Sequence, residues 1–432
     1  MTQQIISARH GCLLQGVLNA TRAVHGFVPI IHSNPGCGFQ GYLGGSLLGG
    51  PFGADLDTPA TNVSQKHVVF GGTSRLREQI KNSVKLLPGD LYVVISGCAT
   101  ELVGDDVSAM VREAQEQGDP IIAISAPGFK GDIYHAYELF VRSVLAWLAP
   151  DERPESPIQP GLVNILGLLP GPSDFWEGDL HELGRLLGLI GLRANPLFGR
   201  GSGLAAWQAI PAAALNLVFS PWGLPVAEEL EWRFGTPYLS FSGLPVGPQQ
   251  SLQVLAQIGE QIGVAPERIA ALRAGAEREF QGHLRKLARL YVTYQLQQAC
   301  AVVGDSTLVP GLVRFLQRSF GWIVVVAVIT DSPPQPDRAA IAADLAGESD
   351  PAARQFIFSE DGAQIADALC ASQPEIILGS ALEATVAAEL DVPLLEIAHP
   401  VRRNVVLQKS YCGLWGAVTL LEDLGREILQ QR

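Results

Sequence analysis

The sequence predicts an α/β protein built from three doubly wound, Rossmann-like domains with mostly parallel sheets. Short apolar runs end in small residues and are followed by helical patterns, which is typical of strands buried on both faces of a parallel sheet. The length of 432 residues is about three times that of a typical domain. We expect domains at 1–150, 158–265 and 266–432, because prolines in polar company break regular structure at 150–157.

The predicted strands and helices alternate along the chain. In the first domain, apolar runs at 27–31, 91–95 and 121–124 predict strands, and the pattern at 133–148 predicts a helix. In the second domain, we predict strands at 162–169 and 215–220, a loop at 170–179 and a helix at 180–190. In the third, we predict a long connecting helix at 266–298 and strands at 301–304, 323–329, 375–378 and 394–397. In this arrangement the carboxyl ends of the strands present functional side chains.

The composition narrows the class of protein. Hydrophobic residues make up 47% of the chain and charged residues only 17%, which predicts an obligate oligomer with much of its surface covered by partner subunits. The net charge of −13 and the lack of a basic run argue against nucleic acid as a partner. The apolar runs are too short to span a bilayer and the N-terminus has no hydrophobic signal core, so we expect a cytoplasmic protein without a membrane partner.

Three of the six cysteines are candidates for metal binding. In a reducing cytoplasm a disulfide framework is not expected, so special cysteines indicate metal or redox chemistry. Cys37 and Cys98 follow predicted strands, and Cys12 precedes a helical pattern whose positive end favours a thiolate. Neighbouring glycines permit close backbone approach, and N–H groups there can bond sulfide. We predict three ligands of an iron–sulfur cluster; the alternative is three small, buried hydrophobic side chains.

The cysteine pattern also predicts a partner. Without a CxxC pair, three cysteines do not complete the usual set of four thiolates, so another chain must supply the remaining ligands. The other three cysteines fall in a predicted strand, in a helical pattern and at the start of the last helix. Because free cysteines are often simply part of the core, we expect structural roles for Cys300, Cys370 and Cys412.

Other polar residues are expected to be structural. Histidines in strand or helix patterns are more often satisfied core residues than metal ligands, and we expect this of His25, His32 and His67. Asp105 and Asp106 beside Glu101 are better explained by capping at a helix start than by a metal or acid–base site. An anion site or an ordinary subunit contact is expected for His399 with Arg402 and Arg403.

Four strings of residues carry a resemblance to a known family. They are Cys12 followed by Leu-Leu-Gln-Gly, residues 29–37 from Pro-Ile-Ile-His to Gly-Cys, Val-Phe-Gly-Gly at 69–72, and residues 96–106 with their specific Cys-x-Thr-Glu-x-x-Gly-Asp-Asp pattern. In these residues the chain resembles the β subunit of nitrogenase component 1 and its relatives. The resemblance is strong over residues 10–135 and looser through the rest of the chain.

The resemblance implies a cofactor, partners and a role. Cys12, Cys37 and Cys98 would be the β-side ligands of an eight-iron P-cluster (8Fe-7S) shared with an α-type subunit, in an α2β2 heterotetramer. Phe70 matches the aromatic residue at which the family docks its ATP-dependent iron-protein reductase. Electrons would pass on to a larger iron–sulfur cofactor held only by the α-type chain, so this chain would contribute no catalytic residue.

Departures from the family bear on the substrate. The stretch 41–50 is glycine-rich where relatives carry an Arg- and His-bearing helical segment, and Gly128 stands where nitrogenase β chains carry a serine that can ligate the oxidised cluster. The N-terminal extension of the molybdenum enzyme's β subunit also has no counterpart. We therefore expect a methylthio-alkane reductase acting on C–S bonds, ahead of dinitrogen reduction and of a cofactor-assembly scaffold. A nucleotide-binding protein is a fourth hypothesis, but the glycine-rich 199–203 follows no clear strand and matches no phosphate-loop pattern.

Overall fold

The computed structural model describes residues 9–46, 58–149, 157–294, 296–346 and 355–430. Within these residues the chain forms three sheets of parallel strands with helices packed against them, which confirms the predicted α/β class. Apart from Pro157, the predicted linker at 150–157 lies outside the described residues, as do residues 47–50 of the glycine-rich stretch. No helix in the described ranges is long and apolar enough to cross a membrane.

The first sheet brings three strand ends to one edge. Its strand order is β1-β2-β3, with His32 of β1 opposite Ser96 of β2, and Ser96 opposite Ser125 of β3. Since all three strands run parallel, the loops after these residues lie side by side. The elements of this part are α1 (Leu13–Arg22), β1 (Phe27–His32), α2 (Pro35–Ser46), α3 (Gln65–Phe70), α4 (Thr73–Leu86), β2 (Leu91–Ser96), α5 (Cys98–Val103), α6 (Val107–Glu116), β3 (Ile121–Ser125) and α7 (His135–Leu148).

Apolar spacing explains how helices cover this sheet. The buried residues of α7 recur with the period of one helix face, and this face packs on α1 and β3: Ala136, Tyr137, Phe140, Val141, Val144 and Leu145. β2 is buried along its whole length, as expected for a central strand covered on both faces. The position of α1, which begins next to Cys12, is therefore set by packing against α7 and the sheet.

The second sheet has the strand order β5-β4-β6-β7. Three buried asparagines lie side by side on its first three strands: Asn195 donates to Asn164, and Asn164 donates to Asn216, each over 2.8 Å. A one-residue slip would separate these amides, so the row specifies the strand register. The elements are β4 (Gln159–Leu166), α8 (Trp176–Leu189), β5 (Arg193–Asn195), α9 (Leu204–Gln208), β6 (Ala213–Val218), α10 (Leu224–Phe234), β7 (Tyr238–Ser240) and α11 (Gly247–Ile262).

The third sheet has the strand order β10-β9-β8-β11-β12. Its last helix also packs against α8 and α11, so it joins the second and third parts of the chain. The elements are α12 (Pro266–Thr293), β8 (Ala299–Gly304), α13 (Val309–Arg318), β9 (Ile323–Ile329), α14 (Gln335–Ala346), β10 (Gln355–Phe358), α15 (Gly362–Ser372), β11 (Ile376–Gly379), α16 (Ala384–Leu390), β12 (Leu394–Glu396) and α17 (Gly413–Gln430).

Some element bounds differ from the prediction. β4 ends at Leu166 rather than at 169, because Gly167 adopts a left-handed conformation with φ +85°. α8 already begins at Trp176, within the predicted loop. α12 ends at Thr293 rather than at 298, and Gln298 directly precedes β8, where its carbonyl accepts the Ile323 N–H. Three strands were not predicted, β5, β7 and β10, each of which has only three or four residues.

Carboxyl groups are buried where the second and third sheets meet. Asp179 and Asp305 line a cavity of about 20 Å³, which has room for roughly one water molecule. Burial raises the pKa of Asp179 to about 7, although the Ser410 hydroxyl donates to it, and burial raises the pKa of Asp305 to about 7 as well. Aromatic side chains fill the rest of this junction, among them Phe175, Trp176 and Tyr411.

The raised pKa of Asp179 predicts how stability changes with pH. Between the ordinary pKa of 3.8 and about 7, the folded chain keeps a proton that the unfolded chain releases, so stability falls as pH rises. In Asp179→Asn we expect the free energy of unfolding to decrease less steeply with pH, by about 1.4 kcal/mol per pH unit. The free energy of unfolding is measured by urea denaturation at pH 5, 6 and 7. The exposed carboxylate variant Glu260→Gln is the control, and an unchanged slope in Asp179→Asn would contradict the prediction.

Candidate metal centre

The three predicted cysteine ligands lie at the carboxyl edge of the first sheet. β1 continues through Ser33 and Asn34 into α2, which carries Cys37, and β2 continues through Gly97 into α5, whose first residue is Cys98. Cys12 comes from the start of α1, close enough to Cys37 and Cys98 for both to act electrostatically on its thiol. All are partly exposed and none forms a disulfide. The structure therefore brings together the residues that the sequence selected.

Glycines let the backbone approach this edge closely. A Cβ on Gly97 would lie 2.8 Å from Leu14 Cδ1 and would also overlap Ser33, so no larger residue fits between β1 and α1. A Cβ on Gly128, which follows β3, would lie 3.2 Å from Cys12 Cβ and 3.6 Å from Cys98 Sγ. Gly128 thus fills the space between two of the sulfurs without placing a side chain there.

Two of the three sulfurs accept hydrogen bonds, and backbone N–H groups lie near the third. The Gly128 N–H donates to Cys98 Sγ over 3.1 Å, and the Ser33 hydroxyl donates to Cys37 Sγ over 3.3 Å. The N–H groups of Gln15 and Leu14, in the first turn of α1, face the Cys12 sulfur. Donors of this kind stabilise thiolates that bind iron and tune their reduction potential.

The pKa of the Cys12 thiol is higher than the position at a helix start alone predicts. Burial raises the pKa of the Cys12 thiol above its ordinary value; the N–H groups of Gln15 and Leu14 lower this pKa, and the neighbouring thiols Cys37 and Cys98 raise it again. The helix start does favour a thiolate, but burial outweighs it. Cys12 is therefore a thiol until a cation binds.

The donor set fits a multi-iron cluster better than a single ion. Among the residues that the structure describes, no group of three or more His, Cys, Asp or Glu side chains is placed to hold one metal ion. The ligand sulfurs of an iron–sulfur cluster bind different irons, so they surround a volume instead of meeting at a point. Three partly exposed cysteines at one sheet edge, two of them with a donor to sulfur, are ligands of the type that one side of such a cluster would take.

A polar network behind Cys12 was not predicted from the sequence. His10 Nδ1 lies 3.1 Å from Asp132 Oδ2, and the other oxygen of Asp132 contacts His135 Nδ1 at 2.7 Å. Burial raises the pKa of Asp132, but the hydrogen bonds from both histidines lower it well below its usual value. His10 and Asp132 are 122 positions apart, so only the packing of α1 against α7 brings them together.

The acidic string after Cys98 has a structural role. Asp105 contacts His32 Nε2 at 3.0 Å and accepts the Gly72 N–H at 2.7 Å, while Asp106 caps α6. Burial lowers the pKa of His32 more than the Asp105 carboxylate raises it. Glu101 accepts the Ser96 hydroxyl at the end of β2. The predicted capping role of Asp106 agrees with this geometry, and the Asp105 carboxylate holds the turn after Phe70.

Phe70 ends α3 with its ring in solvent. Its side chain is 87% exposed, and α3 as a whole buries no residue. α3 packs against α5, which begins at Cys98 and exposes Leu102. Two more exposed aromatic residues lie next to the site in sequence, Phe39 near Cys37 and Phe129 beside Gly128. We call the exposed side chains of Phe39, Val69, Phe70, Leu102 and Phe129 the apolar rim.

The remaining candidates lie away from this edge. Cys300 and Cys412 are buried and Cys370 is partly buried in α15, in the elements where the sequence placed them. His67 contacts Ser64 at the start of α3, and His399 contacts Asp174 over 3.1 Å. The glycine-rich 199–203 does follow a short strand, β5, but it serves to join two parts of the chain: Gly199 N–H donates to Ala23 O, and Ser202 accepts from His25 N–H.

The chain belongs to the family of nitrogenase component 1 type oxidoreductases, whose model matches residues 12–429. The nitrogenase molybdenum-iron protein beta chain of Methanothermobacter marburgensis is 25% identical over 448 residues, which cover 97% of this chain and 93% of that one. A subunit of the light-independent protochlorophyllide reductase of Chloroflexus aggregans is 25% identical over 97% of this chain and 74% of its own length.

Solved structures agree on the fold. A structure described as nitrogenase Cp1 at pH 6.5 matches with a TM-score of 0.81 at 18% identity, over 100% of this chain and 94% of that one. The predicted resemblance is thus confirmed at the level of the family: this is a β-type chain of nitrogenase-like reductases and a subunit of an oxidoreductase.

Proposed function

We propose that the chain is the β-type subunit of a two-component, ATP-dependent reductase and that Cys12, Cys37 and Cys98 hold its half of an interfacial P-cluster (8Fe-7S). The observation that carries the proposal is the row of three partly exposed cysteines at one sheet edge, two of which accept a hydrogen bond at sulfur. When bound, the cluster relays electrons toward a larger iron–sulfur cofactor in an α-type partner. The chain's own residues hold the sulfurs, supply N–H donors and exclude water.

Partial exposure supports a shared site. A cluster enclosed by one chain needs all its ligands from that chain, whereas these three cysteines are partly exposed and the apolar rim is close to them in sequence. Exposed apolar side chains next to a ligand set indicate a surface that a partner covers. We propose an α-type chain as that partner, in an α2β2 heterotetramer.

We propose that the reductase docks over Phe70. An aromatic side chain that is 87% exposed at the end of a helix, held from behind by Asp105 through Gly72, is a ready anchor for a protein interface. α3 packs against α5, so the proposed docking surface is directly joined to the helix that carries Cys98. This connection supports electron entry from that side.

For the substrate, we propose methylthio-alkanes. The proposal depends on the sequence departures at 41–50 and at Gly128, where the described backbone leaves no side chain between Cys12 and Cys98. Reduction of 2-(methylthio)ethanol by two electrons and two protons breaks one C–S and one C–O bond and gives ethylene, methanethiol and water. The alternatives are the reactions named by the relatives, reduction of dinitrogen or of protochlorophyllide, and a scaffold that passes its cofactor on.

The ligand assignment predicts iron loss in cysteine variants. In the complex purified with its α-type partner, Cys37→Ala should lower the iron content by roughly half or more and weaken the low-temperature cluster spectrum, because one thiolate is missing. Cys370→Ala, a partly buried cysteine in α15, is the matched control and should keep wild-type iron. Normal iron and an intact complex in Cys37→Ala would refute the cluster assignment.

The docking assignment predicts a binding defect without iron loss. In Phe70→Asp a ring that the docked reductase would cover becomes a charge, so the reductase concentration for half-maximal turnover should rise by about tenfold or more. Iron content should stay at the wild-type level. Val292→Asp places the same charge on an equally exposed residue of α12 and serves as the control. Equal reductase dependence in the two variants would rule out docking at Phe70.

The substrate proposal is decided by product analysis. The complex with its reductase, ATP and an electron donor is supplied separately with 2-(methylthio)ethanol, dinitrogen and protochlorophyllide. We expect ethylene and methanethiol in equal amounts from the first and no ammonia from the second. Ammonia or chlorophyllide as the main product would replace the proposed substrate by that of the corresponding relative. Turnover with none of them, together with transfer of a cofactor to another protein, would favour the scaffold.

A further inference from the structure

Arg9, three positions before Cys12, contacts residues that follow a strand of the third sheet. The Arg9 guanidinium forms an ion pair with Glu383 and donates to the Ser380 hydroxyl at 3.3 Å. Arg9 is 8% and Glu383 3% exposed, so the pair is buried. The second Glu383 oxygen accepts the Ser380 N–H at 2.7 Å, directly after β11. The carboxylate is thus held from both sides and offers Arg9 a fixed partner.

The next residue makes a second tie to the same sheet. His10 Nε2 lies 2.6 Å from the carbonyl oxygen of Thr330, which follows β9, and its Nδ1 lies 2.8 Å from Glu360. The His10 carbonyl, in turn, accepts the Ile133 N–H of the first part of the chain at 3.1 Å. Arg9 and His10 therefore lie in the junction between the first and third sheets.

This junction bears on one cysteine only. Cys37 and Cys98 are carried by helices that continue directly from β1 and β2, so the first sheet alone positions them. Cys12 has α1 on one side and, on the other, only Gly11 between itself and the tied residues. The two residues between Arg9 and Cys12 span less than about 10 Å. A shift of Arg9 therefore moves Cys12 as well.

We propose that Arg9 is a positioning residue for Cys12: its ion pair with Glu383 holds the Cys12 sulfur in register with Cys37 and Cys98. The inference rests on the proposed function, since a ligand set is what this register serves. The third sheet then helps to position the Cys12 sulfur, because the turn Ser380–Glu383 holds the carboxylate that pairs with Arg9. If the ion pair only held the two sheets together, its removal would change the reactivity of all three thiols to the same extent.

The test measures each thiol separately. In the full-length chain freed of iron by chelation, alkylation rates of Cys12, Cys37 and Cys98 are followed by peptide mass spectrometry. The double variant Arg9→Met/Glu383→Gln removes the ion pair without leaving a lone buried charge. We expect Cys12 to react about tenfold faster, since local opening exposes it, while the other two thiols change little. Arg9→Lys keeps the cation and should return Cys12 toward the wild-type rate.

A second readout uses the complex. In Arg9→Met/Glu383→Gln, purified with its partner, the cluster spectrum and its reduction potential should shift, whereas Asp174→Ala, which breaks the His399 contact elsewhere, should shift neither. Unchanged Cys12 labelling, or an equal rise at all three thiols, would overturn the positioning role. Iron-free wild-type complex would instead refute the proposed function, and the labelling result would still decide whether Arg9 positions Cys12.

Discussion

The parallel register of β1, β2 and β3 is the constraint on which the site depends. Because His32, Ser96 and Ser125 lie in one row, the chain leaves all three strands at the same level, and the loops that follow must share one edge. Gly97 lies where β1 and α1 come closest, and a Cβ there would overlap Ser33 and press on Leu14. Side-chain chemistry at this edge is thus possible only because the backbone packs so tightly, which explains why glycines flank the cysteines.

The strand ends and the helix start at this site could be predicted from the sequence, for physical reasons. Strands buried on both faces are continuous apolar runs, so the ends before Cys37 and Cys98 were visible, and the apolar spacing after Cys12 marked a helix start. The donors to the sulfurs were not visible, since Ser33 and Gly128 differ from other loop residues only in where they lie in space. The same holds for the asparagine row of the second sheet and for the edge strands, whose register and pairing are tertiary properties.

The Cys12 thiol shows how two effects compete. The first turn of α1 directs N–H groups at the sulfur and lowers its pKa, but removal from water costs the thiolate more, so its pKa ends above the ordinary value. A site that stabilised three bare thiolates at one edge would carry three uncompensated negative charges at a partly apolar surface. Keeping the thiol protonated until a cation arrives avoids that charge. Metal binding would then supply the deprotonation, which couples loading to pH.

The three ligands are supported unequally, and this has a consequence for assembly. Cys37 and Cys98 are in place once the first sheet forms, whereas Cys12 follows a segment whose other end is fixed by Glu383 and Thr330 in the third sheet. The third sheet is built from residues nearly 300 positions later in the chain, whereas α1 itself packs on α7 and the first sheet. Under the proposed role of Arg9, the Cys12 sulfur takes its final position only when the first and third sheets have packed together. By this argument cluster loading is coupled to the completion of the fold rather than to the first sheet alone.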